Sequence, residues 1–101
     1  MPVKPLSATK LRNQIKALDS ELVIELKNVR VNGALFGCSG FITDPRTGKH
    51  VYILADHNHQ TNTRALFRTA QHTRDYTGGH NNFATYDLLA ESAVFLLKNS
   101  K

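Results

Sequence analysis

Cysteine is almost absent from these 101 residues, with Cys38 standing alone. That count excludes an internal disulfide and a cysteine-based zinc site. Tryptophan is missing, which leaves aromatic chemistry to five phenylalanines and three tyrosines. No apolar run approaches the ~20 residues that a helix needs to span a bilayer. The opening "MPVKPLSATK" has no apolar stretch either, so it reads as neither a signal peptide nor a membrane anchor. A cytoplasmic location with no membrane contact is the expectation. Gly-x-Gly-x-x-Gly, Gly-x-x-x-x-Gly-Lys and nucleophile-elbow patterns are all absent, so nothing points to dinucleotide, P-loop or hydrolase chemistry. The expected class is a non-catalytic protein without a cofactor.

What is present suffices for one core. Hydrophobic residues make up 41% and charged residues 21%, which is near the globular norm, and the length suits a single domain. Thirteen Lys+Arg against eight Asp+Glu leave a net charge of +5. A basic balance favours nucleic acid or another acidic partner. The excess is uneven, because Lys4, Lys10, Arg12 and Lys16 face only Asp19 in the first twenty residues, while residues 83–101 are neutral.

Pro2 and Pro5 predict a flexible arm over residues 1–6, ahead of a single α+β domain over residues 7–99. Ser7 suits a helix cap. Ala8, Leu11, Ile15 and Leu18 then recur at steps of three and four, an apolar stripe on an N-terminal helix. Arg12 and Lys16 share its solvated side.

"ELVIELK" at 21–27 alternates as a strand does, with Leu22, Ile24 and Leu26 on one face. Asn32-Gly33 predicts a tight hairpin turn. An uninterrupted hairpin would oppose Leu26 to Ser39 and misalign the apolar faces. One extra residue near Lys27-Asn28 repairs this by a β-bulge, setting Leu26 against Cys38, Ile24 against Gly40 and Leu22 against Ile42. "DPRTGK" at 44–49 is a second turn, pairing Ile42 with Val51 and Gly40 with Ile53. Gly37 and Gly40 inside the middle strand predict curvature or a close backbone approach. Cys38 falls on the core face. Residues 63–75 fit a strand, with Ala65, Phe67 and Thr69 on one side, slightly better than a helix. "YTGGHNN" at 76–82 reads as a loop. A C-terminal helix, capped near Asn82 or Thr85, should run to about Lys98. It is apolar around most of its circumference, so one small sheet cannot cover it. Either the N-terminal helix covers Leu88 and Phe95, or a homodimer forms through this helix.

The expected architecture is therefore α+β: an N-terminal helix, a curved antiparallel sheet of three to four strands, and a C-terminal helix packed on the sheet. For function, the informative residues are Arg64, Arg68 and His72, spaced by four. They share a face on a strand, where Arg74 joins them, and a stripe on a helix. Guanidinium forks suit phosphate oxygens. Arg12 and Lys16 would add to this surface. Tyr52 and Tyr76 are the candidates for base stacking. Against that stands a solvated face paired with Glu21, Glu25 or Asp75.

His57 and His59, two apart in "DHNHQTNTR", project together only from extended backbone and are weak metal candidates. In outline, Asp56-His57 and "GGHNN" at 78–82 resemble the ββα-metal nucleases. That resemblance implies a water-activating His57, a metal-binding Asp56, and Asn81 or Asn82 orienting the base. The residues after Phe83 offer no histidine to complete such a site, and the cysteine pairs that often brace that fold are missing. The leading expectation is a small basic binding module that contacts nucleic-acid phosphates weakly. The alternative is a protein-interaction or structural module acting as a homodimer.

Overall fold

The computed structural model describes residues 6–56, 64–73 and 81–99. Seven elements follow in order: α1 (Ala8–Leu18), β1 (Val23–Val31), β2 (Ala34–Asp44), β3 (Lys49–Asp56), β4 (Arg64–Ala70), β5 (Asn82–Thr85) and α2 (Leu89–Asn99). The class is α+β, as expected. The strands form one antiparallel sheet in the order β1-β2-β3-β4-β5, so each strand pairs with its neighbour in the chain. The sheet is one strand larger than the upper expectation, and the extra strand is β5.

Both helices pack on one face. Leu11 and Ile15 of α1 and Leu89, Ala93 and Leu97 of α2 join a core with Leu26, Cys38, Ile42, Val51, Ile53, Ala65 and Phe67. Leu6, assigned to the arm by sequence, is buried in this core, and residues 1–5 lie outside the described residues. The Ser7 hydroxyl accepts a hydrogen bond from the Lys10 amide at 3.1 Å, capping α1. The Asn28 side chain accepts from the Ala8 amide at 2.8 Å and ties that helix start to β1.

The two turns form where the sequence puts them. Asn32 and Gly33 have φ of 52° and 81°, and Val31 pairs with Ala34. Asp44 pairs with Lys49, Ile42 with Val51 and Gly40 with Ile53. The bulge, however, lies on the other strand. Pairing runs Arg30 to Leu35 and then jumps from Val29 to Gly37. The unmatched residue is Phe36 on β2, not one at Lys27-Asn28 on β1. Leu26 therefore faces Gly40 and Ile24 faces Ile42, instead of Cys38 and Gly40. Either insertion restores the parity of the apolar face. Glycine decides between them: Gly37, next to the bulge, has a φ of 152° that L side chains rarely adopt.

The C-terminal segment also differs. Residues 82–85 extend as β5 against β4, and the helix begins only at Leu89. Asn82 pairs with Phe67 and therefore caps no helix.

Cys38 is fully buried, and burial pushes its thiol up from 9.0 to about 11. A thiol-reactive dye at pH 8 should leave the native protein unlabelled and label it fully in guanidinium. Rapid native labelling would show that this part of the core opens.

Candidate functional site

The outer sheet face, opposite the helices, carries the side chains that can meet a partner. Phe41 of β2 pairs with Tyr52 of β3, which pairs with Arg68 of β4. The Phe41 and Tyr52 rings lie 5.1 Å apart at 45°. The Arg68 guanidinium stands over the Tyr52 ring, 4.8 Å from its centroid. One of its terminal nitrogens donates to the Asn81 side-chain oxygen at 3.2 Å. Its Nε is buried without a hydrogen-bond partner. A guanidinium stacked on a ring and tethered at one end is pre-oriented, so it loses little freedom on meeting an anion.

Beside this group is a hollow of about 460 Å³ lined by Glu25, Lys27, Ser39, Gly40, Phe41, Tyr52 and Thr73. That volume falls within the range of small-ligand pockets, roughly 300–1,000 Å³. Lys27 and Glu25 place one charge of each sign at its β1 rim. On the same face Thr43 Oγ and His50 Nδ1 share a hydrogen bond of 2.7 Å, which occupies His50 locally.

The candidate basic residues separate into groups. Arg12 and Lys16 sit on α1, in the helical layer on the far side of the sheet from Arg68. Lys16 Nζ donates to the Ser20 and Leu22 carbonyls, both at 3.3 Å, and so closes the end of its helix. Arg64 occupies an outer-face register position opposite Thr85, one step along from the pairing of Leu66 and Phe83. His72 is exposed but lies past the end of β4, so the even spacing no longer places it on the strand face. Arg74, Tyr76, His57, His59 and His80 lie outside the described residues. Asp56 ends β3 and Asn82 begins β5, with no helix directly after it. Among the described residues no three His, Cys, Asp or Glu side chains gather as metal ligands.

Tyr52 is buried beneath Arg68, so its ring is not free to stack on a base. Phe83 is the exposed ring of this face. It lies on the outer face opposite Leu66 and is 56% exposed. The helical reading of residues 83–98 hid it. Its only strand signal is one apolar residue alternating with Asn82 and Ala84, too short to outweigh the apolar run that follows.

A second cluster is structural. Arg46, in the β2–β3 turn, binds Asp44 at 2.9 Å, Asp19 and, at 3.7 Å, Glu21. Lys98 of α2 reaches Asp19 at 3.1 Å. One arginine thus ties the first turn after α1 to a sheet hairpin, and the same aspartate holds the end of α2. Arg46 is thereby committed to carboxylates of its own chain.

No protein-family model, curated protein or solved structure matches this chain. Among the described residues no helix is long and apolar enough to cross a membrane.

Proposed function

We propose that this protein is a non-catalytic binding module whose outer sheet face contacts the phosphates of single-stranded nucleic acid. The observation that carries the reading is Arg68, stacked on Tyr52 and tethered through one terminal nitrogen to Asn81. Lys27 lies across the hollow, Arg64 shares the face by register, and Phe83 offers an exposed ring at one edge. Open sheet faces with basic and aromatic side chains suit splayed single strands, whose bases can stack. About three phosphates can be neutralised by so few cations, so binding is micromolar or weaker near physiological salt and falls as salt rises.

Fluorescence anisotropy with single-stranded oligonucleotides across a salt series tests this. Arg68→Ala should weaken binding and reduce the salt slope by about one contact. Arg12→Ala, on the opposite side of the sheet, should change neither. Equal effects of the two variants, or no binding at low salt, would remove the reading.

A second reading, a homodimer through α2, is favoured by a separate observation. α1 packs beside α2 but leaves Leu88 and Phe95 uncovered, 51% and 69% exposed. Covering them by the N-terminal helix was one of two expected solutions, and that cover is not found.

A further inference from the structure

We propose that the hollow beside Arg68 receives one base of the bound strand, and that Glu25 and Lys27 at its rim select guanine. The inference rests on the nucleic-acid reading above and adds to it the base that the site prefers.

A carboxylate is out of place on a face that binds phosphates, and Glu25 stands on this one. Glu25, Phe41, Tyr52 and Arg68 form a single cross-strand row. Glu25 is exposed, and among the described residues its carboxylate forms no ion pair, whereas Asp19, Glu21 and Asp44 are all engaged by Arg46. Lys27, two residues on and on the same face, is also exposed and does not pair with Glu25. An ionised carboxylate only accepts hydrogen bonds. Along a DNA strand the phosphates and sugars also only accept, so every donor is on a base. A single strand crossing this row therefore gains from Glu25 only by turning a base edge towards it.

The dimensions agree. Neighbouring strands lie ~4.8 Å apart, so β1 and β3 are separated by roughly 10 Å. The Arg68 guanidinium stands over Tyr52 of β3, and Glu25 belongs to β1. That span is about the reach of one nucleotide from its phosphate to the far edge of its base. Between the two lies the hollow of about 460 Å³, to which Ser39 and Thr73 add hydroxyls. A phosphate held by Arg68 thus sets the attached base over the hollow with its outer edge at Glu25.

Of the four bases, guanine suits this rim best. Its N1–H and N2–H donors are adjacent and parallel, and they meet the two oxygens of one carboxylate as a guanidinium fork does. Its O6 lies beside them and accepts from an ammonium. Glu25 and Lys27, roughly 6.5–7 Å apart along β1, set an acceptor pair next to a donor. Adenine and cytosine each turn one amino hydrogen towards a carboxylate, beside a ring nitrogen that repels its second oxygen. Thymine offers one N–H between two carbonyls. The Lys27 ammonium has three donors, so it can bind O6 and still face a phosphate.

The test is fluorescence anisotropy at low salt with oligothymidine carrying one central guanine, hypoxanthine, adenine or cytosine. The guanine strand should bind about five-fold more tightly than plain oligothymidine, the low end for a two-pronged base contact because Glu25 is exposed. Hypoxanthine keeps O6 and N1–H but lacks the N2 amine, and should lose most of that gain. Adenine, also a purine, controls for stacking and should bind like thymine. Glu25→Gln, at an exposed position, should keep the fold by circular dichroism. It should abolish the guanine preference while tightening binding of plain oligothymidine, since one negative charge is gone. Equal binding of all strands, still weakened by Arg68→Ala, would overturn the guanine site and leave the nucleic-acid reading standing. A guanine preference that survives Glu25→Gln would overturn the role of Glu25. No binding of any strand would remove both readings.

Discussion

Gly40→Ala should remove a large part of the stability of the fold at 25 °C. A Cβ on Gly40 would lie 1.8 Å from the Glu25 carbonyl oxygen and within 3 Å of the Glu25 carbonyl carbon and the Leu26 Cα. All three are backbone atoms of β1, which cannot rotate aside as a side chain can. Relief would require β1 to move away from β2, breaking the ladder on either side of the Leu26–Gly40 pair. The φ of +153° adds strain for any L residue. Overpacking of this severity costs roughly 3–5 kcal/mol, against a total stability of about 5–10 kcal/mol for a domain this size.

Gly48→Ala is the matched control. Gly48 has a φ of +73° but nothing within 4 Å of a built Cβ. Its loss should be about 1 kcal/mol, from backbone conformation alone. Urea unfolding followed by circular dichroism separates the two. Equal costs for Gly40→Ala and Gly48→Ala would mean that the β1 backbone does not crowd Gly40.

A neighbouring glycine of β2, Gly37, bears on what the sequence could and could not reveal about the sheet. Asn32-Gly33 and "DPRTGK" fix two hairpins by local turn chemistry, and the break in apolar parity requires a bulge between them. Parity alone cannot say which strand carries the extra residue, because moving Leu26 opposite Cys38 or opposite Gly40 serves the core equally well. Gly37 decides it: its φ of 152° beside the unmatched Phe36 puts the extra residue on β2. β5 was obscured for another reason. Four residues make a strand only because β4 is there to pair with, and β4 is more than ten residues away in the chain.

The candidate site was legible in part. Reading residues 63–75 as a strand places Arg68 on the face opposite the core, where it lies. The bonds that give Arg68 its character, to the Tyr52 ring and the Asn81 oxygen, join three separate stretches of chain. Spacing could not separate Arg12 and Lys16 from Arg68 either, since the side on which α1 crosses the sheet follows from packing. The partners of Arg46 were equally hidden. Glu21, a candidate partner for the basic face by sequence, lies near Arg46, and Asp19 is 27 residues from that arginine.

That Arg46 cluster should make the protein lose stability below pH 4. Hydrogen bonds from Arg46, the Glu21 amide and Lys98 lower the Asp19 carboxyl from 3.8 to about 2. Arg46 lowers Asp44 as well, and the turn adds a 3.0 Å bond from the Arg46 amide. A depressed carboxyl pKa stabilises the folded state once both states are ionised, above about pH 3.8. As pH falls from there to about 2, the unfolded chain takes up the proton first, and this contribution drains away. Arg46 stays charged throughout, since its carboxylate partners raise its own pKa. Urea midpoints between pH 7 and pH 2 should therefore show a steep fall below pH 4. Arg46→Gln should lower the midpoint at pH 7, where Asp44 would be left almost buried with only backbone donors. Lys98→Met should do less, because it leaves Arg46 on Asp19. The Arg46→Gln curve should then approach the parent curve towards pH 2 and below, as Asp19 takes up its proton in the folded state. Two parallel curves across the whole range would mean that Arg46 stabilises the fold by packing and not by charge.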